Sequence, residues 1–334
     1  DNYLTSSTSR NNSIWLDVDN DGDLDPFFSS IGMEYLLVND GKNYQWSTEN
    51  NFYSAFNGQT SSAGDFDNDG QMDIFAGRAD YYTWSAVDNL LLKNDKGLFK
   101  PFPDSSLVAD HTNYFGSTWG DYDNDGDLDL LGTSHYGMTN LWTNQLQETG
   151  SVSFKKVDYG VTASFIMGGR SCNFIDYDND GDLDIFVACR EYGNHLFENV
   201  IGNKNNWINI LCKGTISNKS AIGARVKIKA TINNKPCWQV REVTTTTGTA
   251  SQDGLNLAFG LGNATIIDSL QIFWPSGIYW DTTRVAINQF IELTEKEKLN
   301  DIPQLIAFND TLIFENVEFS KSYQLIDEWN KGIT

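Results

Sequence analysis

One nine-residue pattern, written four times, constrains this chain more than any other feature. It reads DVDNDGDLD at 17–25, DFDNDGQMD at 65–73, and DYDNDGDLD at both 121–129 and 176–184. Successive copies begin 48, 56 and 55 residues apart. A fixed period near fifty residues marks a repeat architecture, in which each unit buries its apolar face against its neighbours.

The flanks repeat with the loops. Ser13-Ile14-Trp15, Ser62-Ala63-Gly64, Ser117-Thr118-Trp119-Gly120 and Asn173-Phe174-Ile175 precede them. Ile74-Phe75-Ala76-Gly77, Leu130-Leu131-Gly132 and Ile185-Phe186-Val187-Ala188 follow. Short apolar runs bounded by Gly and Asp read as strand, tight loop, strand. A further strand signal stands later in each unit, as in Tyr35-Leu36-Leu37-Val38-Asn39, Leu90-Leu91-Leu92-Lys93-Asn94 and His195-Leu196-Phe197-Glu198-Asn199. About four short strands in ~50 residues is the content of one β-propeller blade, and residues 1–200 hold no sustained helical period.

The loops carry a specific chemistry. Numbered from the first Asp, position 1 is Asp17, Asp65, Asp121 and Asp176, and position 3 is Asp19, Asp67, Asp123 and Asp178. Position 5 is Asp21, Asp69, Asp125 and Asp180, and position 9 is Asp25, Asp73, Asp129 and Asp184. Position 7 is Asp23, Gln71, Asp127 and Asp182, and position 6 is always Gly. Calcium takes about 6–8 hard oxygen ligands at ~2.3–2.6 Å, which a short segment supplies by curling round the ion. Gly at position 6 permits that turn because it tolerates positive φ. Without a cation, so many adjacent carboxylates repel or take up protons. An acidic solvated turn explains one such loop more readily than four with the same Gly and spacing. The reading is about four Ca2+ ions held by these residues. Gln71 is expected to contribute its backbone carbonyl, with Asp23, Asp127 and Asp182 standing behind the ligands.

The bulk composition agrees. Asp and Glu number 45 against 23 Lys and Arg, a net charge of -22. Phosphate backbones and anionic membranes need a basic face, so nucleic acid and membrane surfaces are disfavoured partners. No apolar run reaches the ~18 residues of a membrane helix. The chain opens on Asp1 with no signal-peptide pattern, which predicts a processed or partial form. Sites that fill at about 10⁻⁴–10⁻³ M suit millimolar calcium, so secretion or surface exposure is expected. The four Cys form no CxxC pair. Cys172 with Cys189, and Cys212 with Cys237, are candidate disulfides; the alternative is buried free thiols.

On these residues the loops resemble the FG-GAP (VCBS-type) repeats of integrin-α-like propellers, in which a D-x-D-x-D-G-x-x-D loop sits in a hairpin of each blade. A second stretch resembles the ASPIC/UnbV domain of cartilage-acidic-protein-like proteins. It is carried by Lys213-Gly214-Thr215, Asn218-Lys219-Ser220-Ala221-Ile222-Gly223-Ala224-Arg225-Val226, Phe259-Gly260-Leu261-Gly262 and Trp274-Pro275-Ser276-Gly277. The resemblance implies an all-β chain: four propeller repeats over 1–203, an incomplete ring or one completed by blades from elsewhere since closure takes about seven blades, a small β domain over 204–297, and a tail over 298–334 that either begins a further repeat or pairs with the propeller. It also implies a secreted or surface protein.

No catalytic set accompanies the loops. Gly-x-Ser-x-Gly, His-Glu-x-x-His and phosphate-loop patterns are absent, and four copies of an acidic loop do not describe one glycosidase acid–base pair. His111, His135 and His195 are expected to be structural or surface residues. The run Thr244-Thr245-Thr246-Thr247-Gly248-Thr249 is read as a strand edge, with a loop or glycan carrier as alternatives. Tyr81, Tyr82, Trp84, Tyr136 and Trp142 either form a binding face or pack between blades. The function expected is a non-enzymatic binding or adhesion module for a glycan or extracellular protein. The alternatives are a structural subunit of a surface assembly, through self- or hetero-association, and, more remotely, a polysaccharide-active enzyme.

Overall fold

A computed structural model describes residues 10–295, apart from 81–86, 104, 135–136, 158–167, 191–192 and 201. The tail, with His135, Tyr81, Tyr82, Trp84 and Tyr136, lies outside the described residues. The fold is all-β. Twenty strands are described, together with two helices of four residues each, α1 (Ser105–Val108) and α2 (Leu146–Thr149).

Every Asp-rich loop closes an antiparallel hairpin. Loop 1 joins β1 (Arg10–Leu16) to β2 (Asp25–Asn39), and loop 2 joins β3 (Tyr44–Gly64) to β4 (Asp73–Asp80). Loop 3 joins β7 (Tyr114–Gly120) to β8 (Asp129–Ser134), and loop 4 joins β11 (Gly169–Ile175) to β12 (Asp184–Cys189). The register is the same each time. The residue before position 1 faces position 9, giving the pairs Leu16 with Asp25, Gly64 with Asp73, Gly120 with Asp129 and Ile175 with Asp184.

The blades differ in strand number. The third adds β9 (Asn140–Asn144) and β10 (Phe154–Lys156) for the expected four strands, and among the described residues the fourth adds only β13 (His195–Phe197). The first two do not separate as the expected short strands would. They share a six-stranded sheet that ends with β5 (Leu90–Asp95) and β6 (Leu98–Pro101). The cause is the 21-residue β3, whose first part pairs with β2 and whose last part pairs with β4.

Apolar cores lie between successive blades. Ile14, Leu16 and Leu36 pack with Ile74 and Leu92; Phe66 and Phe75 pack with Trp119, Leu130 and Phe154; Leu131 and Leu141 pack with Cys172, Phe174 and Val187. Position 2 of loops 1 to 3 contributes to the gap that follows each loop. Val18 and Phe66 are buried there and Tyr122 packs partly, whereas Tyr177 of loop 4 is 42% exposed, beside the exposed Ile175 and Leu196. Trp142 is buried in the core between blades 2 and 3 and donates its indole N–H to Tyr114, so it packs and presents no binding face.

A 3-10 turn at Gly202–Lys204 leads into the second β segment. One of its sheets is β17 (Asn256–Gly262), β14 (Asn206–Lys213) and β20 (Phe290–Thr294), with β14 parallel to β20. The other is β16 (Lys235–Glu242), β15 (Arg225–Ile232), β18 (Ile267–Phe273) and β19 (Tyr279–Val285). The β15–β16 hairpin turns on Asn233 and Asn234, both with positive φ (49° and 63°), as a two-residue turn matched to strand twist requires. All described residues belong to one compact unit.

The Thr-rich run is not a strand. It forms a loop held between the blades, where Thr249 donates its hydroxyl to the Gln59 carbonyl at 2.6 Å and Asp253 accepts from Thr118 and Asn173. The four cysteines are free thiols. Cys172 faces Val187 while Cys189 faces Gly169, and Cys212 and Cys237 stand in different sheets.

Candidate metal centres

Each loop is wound by two residues with positive φ. Position 4 is Asn20, Asn68, Asn124 or Asn179 (φ 56–63°), and position 6 is Gly22, Gly70, Gly126 or Gly181 (φ 92–106°). Asn tolerates the left-handed region because its short polar side chain bonds locally. The turn aims backbone N–H groups inward. Oδ2 of Asp17, Asp65, Asp121 and Asp176 each accepts from the Gly at position 6, at 3.0–3.1 Å. Oδ1 of Asp21, Asp69, Asp125 and Asp180 accepts from the N–H at position 7, at 2.9–3.2 Å.

Positions 1, 3 and 9 converge. In the sets Asp17/Asp19/Asp25, Asp65/Asp67/Asp73, Asp121/Asp123/Asp129 and Asp176/Asp178/Asp184, one oxygen from each residue lies within 4.8 Å of the others. Position 5 does not join these trios: Asp21, Asp69, Asp125 and Asp180 are turned to the N–H at position 7. At position 7, Gln71 Oε1 accepts from the Lys96 N–H at 2.6 Å, and Asp127 Oδ2 accepts from the Gln147 N–H at 2.9 Å. Those two side chains thus engage neighbouring segments. Asp23 is half-buried and Asp182 is buried beside its loop. Asp125 and Asp127 form a separate group with Glu148 of α2, an acid the sequence reading did not include.

Crowded carboxylates show in their proton affinities. Burial pushes Asp25 and Asp65 up to about 7, with the Asp67 and Asp69 charges adding to the latter. Burial and neighbouring acids raise Asp73, Asp121 and Asp129 far above the usual carboxylate range. Burial raises Asp176 to about 6. One oxygen of Asp123 and one of Asp176 are buried without a hydrogen-bond partner. Oxygen-only donor sets with orphaned buried carboxylate oxygens fit a hard divalent cation. Loop 2 has a substitute cation: Lys93 Nζ contacts Asp67 and lies 3.0 Å from Asp69.

Position 9 has a structural task as well. Asp25, Asp73, Asp129 and Asp184 each accept from the N–H of position 2 with one oxygen, at 2.9–3.2 Å. The other oxygen accepts from Asn39, Asn94, Asn144 or Asn199 on the following strand segment, at 2.6–2.9 Å. These four Asn were not singled out as functional from the sequence. The available signal was their recurrence 14, 21, 15 and 15 residues after position 9. Their side-chain amides donate to the position 8 carbonyl of their own loop. In blades 2 to 4 they donate also to the position 2 carbonyl of the preceding loop, at 2.6–2.8 Å.

The second β segment packs on the loops, leaving Asp19 to Gly22 and Asp178 to Asp180 exposed. Arg225 donates to Asn20 Oδ1 of loop 1 and, at 2.6 Å, to the Gly70 carbonyl of loop 2, with Asp17 3.7 Å away. Glu242 Oε2 accepts from the Asp17 N–H at 3.4 Å. On loop 3, Gly260 and Gly262 donate their N–H groups to Asp121 Oδ2 (3.0 Å) and to the Asn124 carbonyl (2.8 Å).

Among the described residues no helix is long and apolar enough to cross a membrane. No curated protein matches the chain. Two family models do: residues 17–76 match an FG-GAP-like repeat and residues 214–300 match ASPIC and UnbV. The chain therefore carries an FG-GAP-like repeat followed by an ASPIC and UnbV domain on an all-β, propeller-like fold.

Proposed function

We propose that this chain is a secreted or cell-surface protein whose loops hold about four Ca2+ ions, and that it acts as a non-enzymatic binding or adhesion module for a glycan or an extracellular protein. The observation that carries the metal reading is the recurrence of one geometry. Positions 1, 3 and 9 converge at the same hairpin register in all four loops. Calcium suits the donor set because every converging group is a carboxylate. Affinities in the range of extracellular modules favour a compartment with millimolar calcium. An ion-bound loop is rigid, and rigid blades hold their surface loops in one arrangement for recognition.

Equilibrium dialysis with elemental analysis tests the metal. About four calcium ions per chain are expected, and a chain that retains none refutes the reading. Thermal unfolding adds a second measure, because each site filled to 100 times its Kd contributes about 2.7 kcal/mol. A melting curve unchanged by chelator would count against the sites. Glycan and protein arrays, with and without calcium, then test the binding role.

The assembly reading has one observation of its own. Ile175, Tyr177, Leu196, Phe197 and Val200 are all exposed on or beside the fourth blade. Sedimentation with calcium at high concentration decides it; a strictly monomeric species removes its support.

A further inference from the structure

We infer that the second β segment is a working part of the cation sites, so that ion occupancy of the loops and docking of this segment are one linked equilibrium. The inference rests on the calcium reading above and adds a regulation to it.

The F-G-L-G end of strand β17 is built to the shape of loop 3. A Cβ at Gly260 would lie 2.2 Å from Asp121 Oδ2 and 2.4 Å from Asn124 Cα. No side chain fits there, so its backbone N–H reaches the position 1 carboxylate directly. That oxygen accepts from both Gly126 and Gly260, which fixes the carboxylate and aims its other oxygen. Gly262 holds the left-handed Asn124 by its carbonyl, and Asn205 donates to the Asp123 carbonyl at 2.9 Å. Positions 1, 3 and 4 of loop 3 are thereby held from outside the loop.

Loops 1 and 2 are held by charge. Arg225, only 7% exposed, lies between them and shares its charge with Glu242 at 3.4 Å and Asp17 at 3.7 Å. A loop ordered by the second segment binds an ion at lower entropic cost, and a loop ordered by an ion presents the carboxylate and carbonyls on which that segment sits. Coupling between two binding events is reciprocal. Calcium removal should therefore loosen β14–β17 as well as the loops. Loop 3 is buried by this contact, whereas Asp19 and Asp21 of loop 1 and Asp178 and Asp180 of loop 4 stay exposed.

Amide hydrogen exchange on the wild-type chain, with calcium or with chelator, tests this directly. Calcium is expected to slow exchange at Gly260 and Gly262 about tenfold or more, in step with loop 3, at the lower end of the usual range of coupling. Gly260→Ala should weaken calcium binding about tenfold in calorimetry, and Asn205→Ala should weaken it less. Calcium binding by the wild type with no change in exchange over 257–262 overturns the linkage and leaves the calcium reading standing. A folded Gly260→Ala variant that binds calcium like the wild type does the same. A wild-type chain that binds no calcium overturns both.

Discussion

The side-chain amide of Asn144 lies 2.8 Å from the carbonyl oxygen of Phe66, a residue of the preceding blade's loop. The same nitrogen reaches the Leu128 carbonyl of its own loop at 3.3 Å, and Asn144 Oδ1 accepts from the Gln145 N–H at 2.9 Å. One side chain thus ties two loops and a turn, and Asn94 and Asn199 repeat the arrangement. Asn144→Ala leaves two buried carbonyls unpaired, each costing about 1–3 kcal/mol. A loss of about 2–6 kcal/mol is expected in urea unfolding at saturating calcium. A change within 0.5 kcal/mol, the usual range for surface substitutions, would refute the bridging role.

Glu34 and Arg78 form a two-pronged ion pair between β2 and β4, at 2.6 and 2.8 Å, with the Glu34 side chain fully buried. Arg78→Met strands a buried carboxylate and should cost about 3–5 kcal/mol, while the double variant Glu34→Leu/Arg78→Met should recover most of it. Denaturant midpoints for the single and double variants check this. Equal loss in both would mean that packing, not charge, governs the site.

The sequence made the loops legible because their information is local. A Gly that must take positive φ, acids at alternate positions and strand-like flanks lie within about fifteen residues. The hairpins and the turns at Gly22, Gly70, Gly126 and Gly181 stand where that pattern places them. What escaped the reading is long-range. Asn144 looks like any polar strand end until Phe66 is brought beside it. The merged first sheet was hidden because β3 carries turn-forming residues, Asn50-Asn51 and Asn57-Gly58, and yet continues through them as one strand. The Thr-rich run has strand propensity, yet its neighbours Thr60, Gln59 and Ser117 hold it as a loop. Arg225 and Gly260 acquire meaning only across separations of 205 and 139 residues.

Lys93 makes loop 2 unlike the others. Its ammonium contacts Asp67 and lies 3.0 Å from Asp69, at the third and fifth positions. A divalent ion entering there must displace or face that charge. Loop 2 is therefore expected to bind most weakly of the four. Lys93→Ala should tighten one of the calcium sites about tenfold, for an interaction of about 1.4 kcal/mol. Calorimetry resolving the weakest site checks this; an unchanged or weakened isotherm would place the lysine outside the ion's reach.

Asp253 gives a pH dependence separate from the loops. It accepts from Thr118 Oγ1 at 2.5 Å and Asn173 Nδ2 at 2.9 Å, between the third and fourth blades. Burial pushes its carboxyl up to about 6, against the donors that hold it down. The folded chain therefore keeps this proton more tightly than the unfolded chain, whose value is 3.8. Linkage then fixes the sign: stability falls as pH rises from about 4 to about 6, by up to about 3 kcal/mol for this group. Asp253→Asn cannot titrate, and its amide can still donate to Thr118 while its oxygen accepts from Asn173. The variant should gain on the wild type steadily across that window at saturating calcium, and hold the gain above it. Urea unfolding at a series of pH values measures the difference, and a difference constant with pH would mean that the Asp253 carboxyl does not titrate in this window.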